Sequence, residues 1–112
     1  MSVLMRKVGA VCILELSGKL MGGADADEFK NSVRQLASEG CVKVLVNLAG
    51  VPWVNSTGLG VLVAGYTSLR RENGVLKLCN VSDRVQSILM VTRLSTVFET
   101  FGGEAEAVAS FG

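Results

Sequence analysis

Histidine is missing from this chain of 112 residues, and its absence removes whole classes of chemistry. No serine or cysteine nucleophile can be paired with an imidazole base, and with no histidine and no CxxC pair the usual zinc and haem spacings do not occur. Neither sign of charge is in excess: 11 lysines and arginines face 10 acidic residues, for a net charge of +1. A chain so balanced offers no strong field for nucleic acid or an anionic membrane, so direct binding to either is not expected. Proline, tryptophan and tyrosine occur once each. No apolar run approaches the length of a membrane span, and Met1 to Lys7 has no apolar centre of signal-peptide length. The expectation is a cytoplasmic protein with no membrane insertion. Cysteine occurs three times, never as a CxxC pair. Cys12, Cys41 and Cys79 each sit in an apolar or strand-like context and are expected to be buried, reduced thiols with no disulfide among them.

What is present is a globular composition, 49% hydrophobic and 19% charged, with no linker, repeat or low-complexity stretch. The length suits one domain, residues 1–112, around a single core. Val11 to Leu16 (VCILEL) reads as a strand closed by Ser17-Gly18, with Val3 to Lys7 as its hairpin partner. From Ala26 the period changes: Phe29, Val33, Leu36 and Ala37 recur at helical spacing. Asp25 can cap that helix and Gly40 can stop it. Val42 to Leu48 (VKVLVNL) is apolar nearly throughout, the mark of a strand covered on both faces.

A loop, Ala49 to Asn55, follows. Ser56 or Thr57 then opens a helix with Leu59, Leu62, Val63, Tyr66 and Leu69 on its apolar stripe, ended by Asn73-Gly74. Val75 to Cys79 is a further buried strand. Ser82-Asp83 caps a third helix with Val85, Ile88, Leu89 and Thr92 inward. Val97 to Phe101 suggests a last short strand, and Glu104 to Phe111 a C-terminal helix docking through Ala105, Val108 and Phe111. Strands alternating with helices predict an α/β fold: a sandwich with a mixed, mostly parallel sheet of four to five strands and about four helices.

In such sheets function collects beyond the carboxyl ends of the strands. The segment Gly50 to Gly60 (GVPWVNSTGLG) occupies that position. It places two hydroxyls, Ser56 and Thr57, at a helix N-terminus, where unpaired N–H groups and the helix dipole favour negative charge. A phosphate on Ser56 would find both, although a serine before a helix is also an ordinary N-cap. Trp53 and Val54 flank the polar tip; the tryptophan is either a contact anchor or core. Gly58-Leu59-Gly60 lacks the third glycine of a dinucleotide fingerprint, no phosphate-binding P-loop is present, and Ser56 does not stand in a GxSxG elbow. Neither a cofactor nor a metal is called for, and the chain reads as a binding module rather than an enzyme.

The stretch VPWVNSTGLGVLVAGYTSLRRENG resembles the signature of STAS-domain anti-sigma factor antagonists, in which a strand leads into DSSGLG or DSTGLG, a helix, a glycine turn and another strand. Leu16-Ser17-Gly18-Lys19-Leu20 resembles the family's strand-end GxL, Leu76 to Ser82 (LKLCNVS) its next strand and turn, and Val91 to Phe98 (VTRLSTVF) its C-terminal element. The likeness extends over essentially the whole chain. It implies that Ser56, with Thr57 as the lesser candidate, is phosphorylated by an anti-sigma factor that is also a serine kinase. It further implies that the unphosphorylated form captures that partner and frees a sigma factor, and that a serine phosphatase restores the capture. Met21, Trp53, Val54, Asn55, Ser56, Thr57, Gly58 and Leu59 would then form the partner-binding site. Asn55 stands where the family usually has aspartate, and Met21 where it often has another; both differences remove negative charge near the acceptor. Two other readings follow from the same residues: a STAS subunit of a transporter-associated or scaffold complex with Ser56 only a cap, or a nucleotide-binding domain using the Ser56–Gly60 turn.

Overall fold

The computed structural model describes residues 2–21 and 23–112. β1 (Ser2–Val8) and β2 (Val11–Ser17) form an antiparallel hairpin in register from Ser2↔Ser17 to Val8↔Val11. Its two-residue turn is Gly9-Ala10, where Gly9 takes a positive φ of 59° that a side chain would resist. The chain then alternates through α1 (Ala24–Ser38), β3 (Lys43–Gly50), α2 (Ser56–Arg71), β4 (Val75–Cys79), α3 (Asp83–Val91), β5 (Thr100–Phe101) and α4 (Glu104–Ser110). The five strands lie in the order β1-β2-β3-β4-β5. β2 to β5 are mutually parallel and only β1 is antiparallel. The α/β class, the mixed sheet and the helix number are as the sequence implies.

A strand order that never reverses has a packing consequence. Right-handed crossovers repeated in one direction place every connecting helix on the same face of the sheet. Cys12, Leu14 and Leu16 of β2, Val44, Val46 and Leu48 of β3, and Leu76 and Leu78 of β4 point to that face, where they pack with Phe29 and Val33 of α1, Leu59, Leu62 and Leu69 of α2, and Val85 and Leu89 of α3. The alternate residues Val11, Ile13, Leu45 and Cys79 point the other way and meet α4 through buried Ala107 and half-buried Val108 and Phe111. Both faces of the central strands are thus covered, by three helices on one side and one short helix on the other.

Polar contacts clamp α4 at both ends. At its start the Glu104 carboxylate accepts hydrogen bonds from the Arg6 guanidinium and from Asn47 Nδ2 (2.7 Å). The Arg6 bond, helped by that of Asn47, holds the Glu104 carboxyl below the usual range. A lowered folded-state value means this clamp is complete above the unfolded carboxylate's range and is lost as pH falls through the lowered value. At the other end Lys77, a buried lysine of β4, donates to Ser110 O (3.1 Å) and Ser110 Oγ (3.0 Å). Its ammonium also lies 4.7 Å from the centroid of Phe111 and 3.5 Å from a Glu99 carboxylate oxygen. Lys77 therefore neutralises a free carbonyl at the helix's negative end while its stem crosses the apolar face. Beneath α4 the Cys79 thiol is pushed up to about 11 by burial.

Several expectations are revised. Cys12 and Cys41 are joined in a disulfide, Cα atoms 6.5 Å apart; Cys79 is free, and all three are buried as expected. The pairing arises because Cys12 is the second residue of β2 while Cys41 leads from α1 into β3, the neighbouring parallel strand. α1 starts at Ala24 behind Gly23, so Asp25 sits in the first turn rather than capping it. Thr92 is the exposed C-cap of α3, donating to Ile88 O, not an inward residue. The expected strand from Val97 to Phe101 shrinks to two residues, because the chain leaves α3 through a left-handed Arg93 and a 3-10 turn, Leu94–Thr96. Phe98 of that segment is instead buried, edge-on to Tyr66 at 5.5 Å. Ala105 is exposed and Ala107 takes the buried place on α4.

Leu62 is fully buried between sheet and helices, so Leu62→Ala should lower stability by roughly 2–5 kcal/mol in urea denaturation. The disulfide spans 29 residues, for which chain entropy gives a stabilisation on the order of 3–4 kcal/mol. Protein oxidised in vitro should accordingly show one titratable thiol when denatured, and three with a lower melting temperature after reduction. Three thiols under oxidising conditions would mean that the bond does not form.

Candidate functional site

The site is built where β3 gives way to α2. Val51 N closes a turn on Leu48 O (3.0 Å), and the chain runs through exposed Pro52 and half-buried Trp53 to buried Val54. Leu20 forms a parallel bridge with Val54. Gly50 O accepts from Gly18 N (2.9 Å), so the segment after β2 runs alongside the loop after β3. A third loop closes on the same place, since Ser82 Oγ at the head of α3 donates to Pro52 O (3.2 Å). The same oxygen caps α3 by accepting from Val85 N.

Asn55 organises the entry into α2. Its backbone is extended (φ −97°, ψ −178°), and its Oδ1 accepts from Gly58 N at 2.7 Å. Its Nδ2 donates to Met21 O at 3.4 Å, and its carbonyl accepts the first helical bond, from Leu59 N at 2.9 Å. Asn55, and not Ser56 or Thr57, is therefore the N-cap, which corrects the sequence reading. An aspartate would accept the same bond from Gly58 but could not donate to Met21 O. Gly58 is required by contact: a Cβ there would lie 1.9 Å from Leu20 O. The first turn of α2 thus rests directly on the backbone of the Leu20 segment, and this close approach brings Met21 beside the loop.

Ser56 and Thr57 are the first two residues of α2, and both are exposed. Arg70 and Arg71 in the last turn suit the negative end of the helix dipole, while the first turn carries no acidic side chain and leaves the positive end uncompensated. Thr57 borders the shallow groove between α1 and α2, with Asp27, Lys30, Gly60 and Ala64. Met21 is exposed and Trp53 half-exposed. Val54, Gly58 and Leu59 are buried, so they shape the loop from beneath. The arrangement offers an accessible hydroxyl on unpaired helix N–H groups, a place suited to carrying an anion. Among the described residues, no helix is long and apolar enough to cross a membrane.

Sequence reasoning missed one polar cluster behind this loop. Asn47 is buried in β3, yet every polar atom of its side chain has a partner. Its Nδ2 donates to Glu104, and its Oδ1 accepts from Ala49 N (2.9 Å) and Asn80 Nδ2 (3.2 Å). The signal was Asn47 itself, an uncharged polar residue near the end of the apolar run VKVLVNL.

The cap assignment is testable by two substitutions. Asn55→Ala should cost about 1 kcal/mol, while Ser56→Ala should fall within ~0.5 kcal/mol of wild type, both by chemical denaturation. A larger loss from Ser56→Ala than from Asn55→Ala would restore Ser56 as the cap.

Comparison with known proteins places this geometry. Over 61 residues, 54% of each chain, the sequence is 38% identical to an anti-sigma-B factor antagonist of Listeria monocytogenes. The structure superposes on Thermotoga maritima TM1081 with a TM-score of 0.85 and 25% identity, covering 96% of this chain and 92% of that one. It also superposes on the phosphorylated form of the Bacillus cell fate determinant SpoIIAA with a TM-score of 0.76 and 17% identity, covering 99% and 100%, a likeness of fold. The sequence model of the STAS domain matches residues 2–107. With the sequential sheet, the glycine-tight start of α2 and the NSTGLG turn in place, the chain belongs to the STAS domain family.

Proposed function

We propose that the protein is an anti-sigma factor antagonist switched by phosphorylation of Ser56. In this reading the unphosphorylated chain binds an anti-sigma factor that is also a serine kinase and so releases a sigma factor. Transfer of phosphate to Ser56 ends the binding, and a serine phosphatase reverses it. The observation that carries the proposal is the division of labour at the head of α2. Asn55 performs the capping, so the exposed Ser56 hydroxyl is free of a structural task and can be modified without unravelling the helix. A phosphoserine brings roughly −1.5 to −2 charges at neutral pH. The free amides of the first turn and the positive end of the dipole would hold that charge without unfolding the domain. The change is therefore one of surface. Charge and bulk arrive next to Met21, Trp53 and Thr57, where a partner in close contact with the turn would be displaced.

The relatives support the partner class, since the Listeria protein is named for antagonism of an anti-sigma factor. Asn55 and Met21 leave the turn without the acidic neighbours usual in the family. An incoming phosphate meets less repulsion here, and the partner's complementary surface should be correspondingly less basic.

Calorimetric titration against the cognate anti-sigma kinase is the test. Ser56→Asp should keep a melting temperature near that of wild type yet bind at least about tenfold more weakly, through repulsion and lost contact. Ser56→Ala should bind like the unphosphorylated protein and gain no mass on incubation with kinase and ATP, whereas Thr57→Ala should still be labelled. Unchanged affinity for Ser56→Asp, or labelling of Ser56→Ala equal to wild type, would defeat the switch.

A further inference from the structure

We propose that Asn47 is a positioning residue that couples the docking of α4 to the loop presenting Ser56. The inference rests on the reading of Ser56 as the modified residue and extends it to how that residue is held. Its starting point is an anomaly of placement. β3 is the central strand, buried on both sides, and among the described residues the only buried polar side chains are Asn47 and Lys77. An unpaired amide at such a position costs several times what a hydrogen bond returns, so its partners are constrained to stay where they are.

Those partners come from three parts of the chain. On the α4 side, Asn47 Nδ2 donates to Glu104 Oε2 at 2.7 Å, and Arg6 of β1 holds the same oxygen. On the other side, Asn47 Oδ1 accepts from Ala49 N at 2.9 Å, within the last residues of β3 before the chain turns toward Ser56. The same Oδ1 accepts from Asn80 Nδ2 at 3.2 Å. Asn80 has a left-handed φ of 55° and ends β4 two residues before Ser82, whose hydroxyl holds Pro52 O. One side-chain amide thus fixes both walls of the Ser56 loop, directly through Ala49 and indirectly through Asn80 and Ser82. Its other end is secured only while α4 is docked. If Glu104 leaves, the buried Nδ2 loses its acceptor, and the amide gains by rotating or drawing in water, which breaks its grip on Ala49.

Two substitutions at half-buried Glu104 separate this coupling from ordinary loss of a helix contact. Glu104→Ala removes the acceptor for Asn47. Glu104→Gln keeps a carbonyl oxygen for Asn47 and gives up only the charge that pairs with Arg6. Residue-resolved amide exchange by NMR on the full chain is the first readout. Glu104→Ala should speed exchange of the Ala49 amide on the order of tenfold, as expected for local opening, with the β2–β3 ladder unchanged. Glu104→Gln should leave Ala49 protected. Faster exchange confined to α4 in Glu104→Ala, or equal loss of Ala49 protection in the two variants, would overturn the coupling through Asn47.

The second readout is the initial rate at which the cognate anti-sigma kinase labels Ser56. It should change several-fold in Glu104→Ala and stay near wild type in Glu104→Gln. An unchanged rate in Glu104→Ala, despite fast exchange at Ala49, would also overturn the proposal. If wild-type Ser56 is not labelled at all, the phosphorylation reading fails, and the exchange data alone then decide whether Asn47 couples α4 to the loop.

Discussion

The handedness of the parallel crossover governs this molecule. Three successive βαβ steps taken in one direction leave α1, α2 and α3 no choice of face, because a right-twisted strand feeding a helix returns only one way. The large core collects on that face. The opposite face, with Val11, Ile13, Leu45 and Cys79, is left to the last seven-residue helix. A helix so short buries too little apolar surface to secure itself, and its attachment is correspondingly polar: Arg6 and Asn47 on Glu104 at one end, Lys77 on Ser110 at the other.

The same constraint fixes where the site lies. With no reversal of strand order there is no crevice at a switch point, yet the loops after β2, β3 and β4 still emerge side by side at the carboxyl edge of the sheet. The loop after β3 is central and is held from both neighbours, by the Leu20–Val54 bridge and by the Ser82 bond to Pro52. The contact of Gly58 with the Leu20 carbonyl then sets the height at which α2 begins. A hydroxyl at the first position of that helix is presented outward on a rigid support, as the proposed phosphorylation switch would require.

Asn55 is instructive because it has two tasks where an acidic residue would have one. Its oxygen caps α2 and its amide reaches Met21 O. The change of residue type thus removes a charge from the turn and adds a tie to the neighbouring segment, so geometry is retained while the electrostatic signature of the surface changes.

Much of this was legible in the residues alone. The alternation of short β-branched runs with 3.6-residue periodicity gave the α/β class and the position of nearly every element, because burial on a sheet face or helix stripe is written in local sequence order. The NSTGLG turn marked the candidate site for the same reason: a cap, a hydroxyl and a glycine within six residues form a local pattern. What tertiary structure decided were the contacts between residues distant in sequence. Which of Asn55 and Ser56 caps α2 depends on backbone angles set by the Leu20 segment. The disulfide joins Cys12 to Cys41 only because β2 and β3 became neighbours, and the short β5 reflects a turn forced on the chain as it leaves α3. Asn47 meets Glu104 across 57 residues of chain, and no periodicity encodes that meeting. It exists because a sheet brings the end of its central strand under the helix that closes its second face.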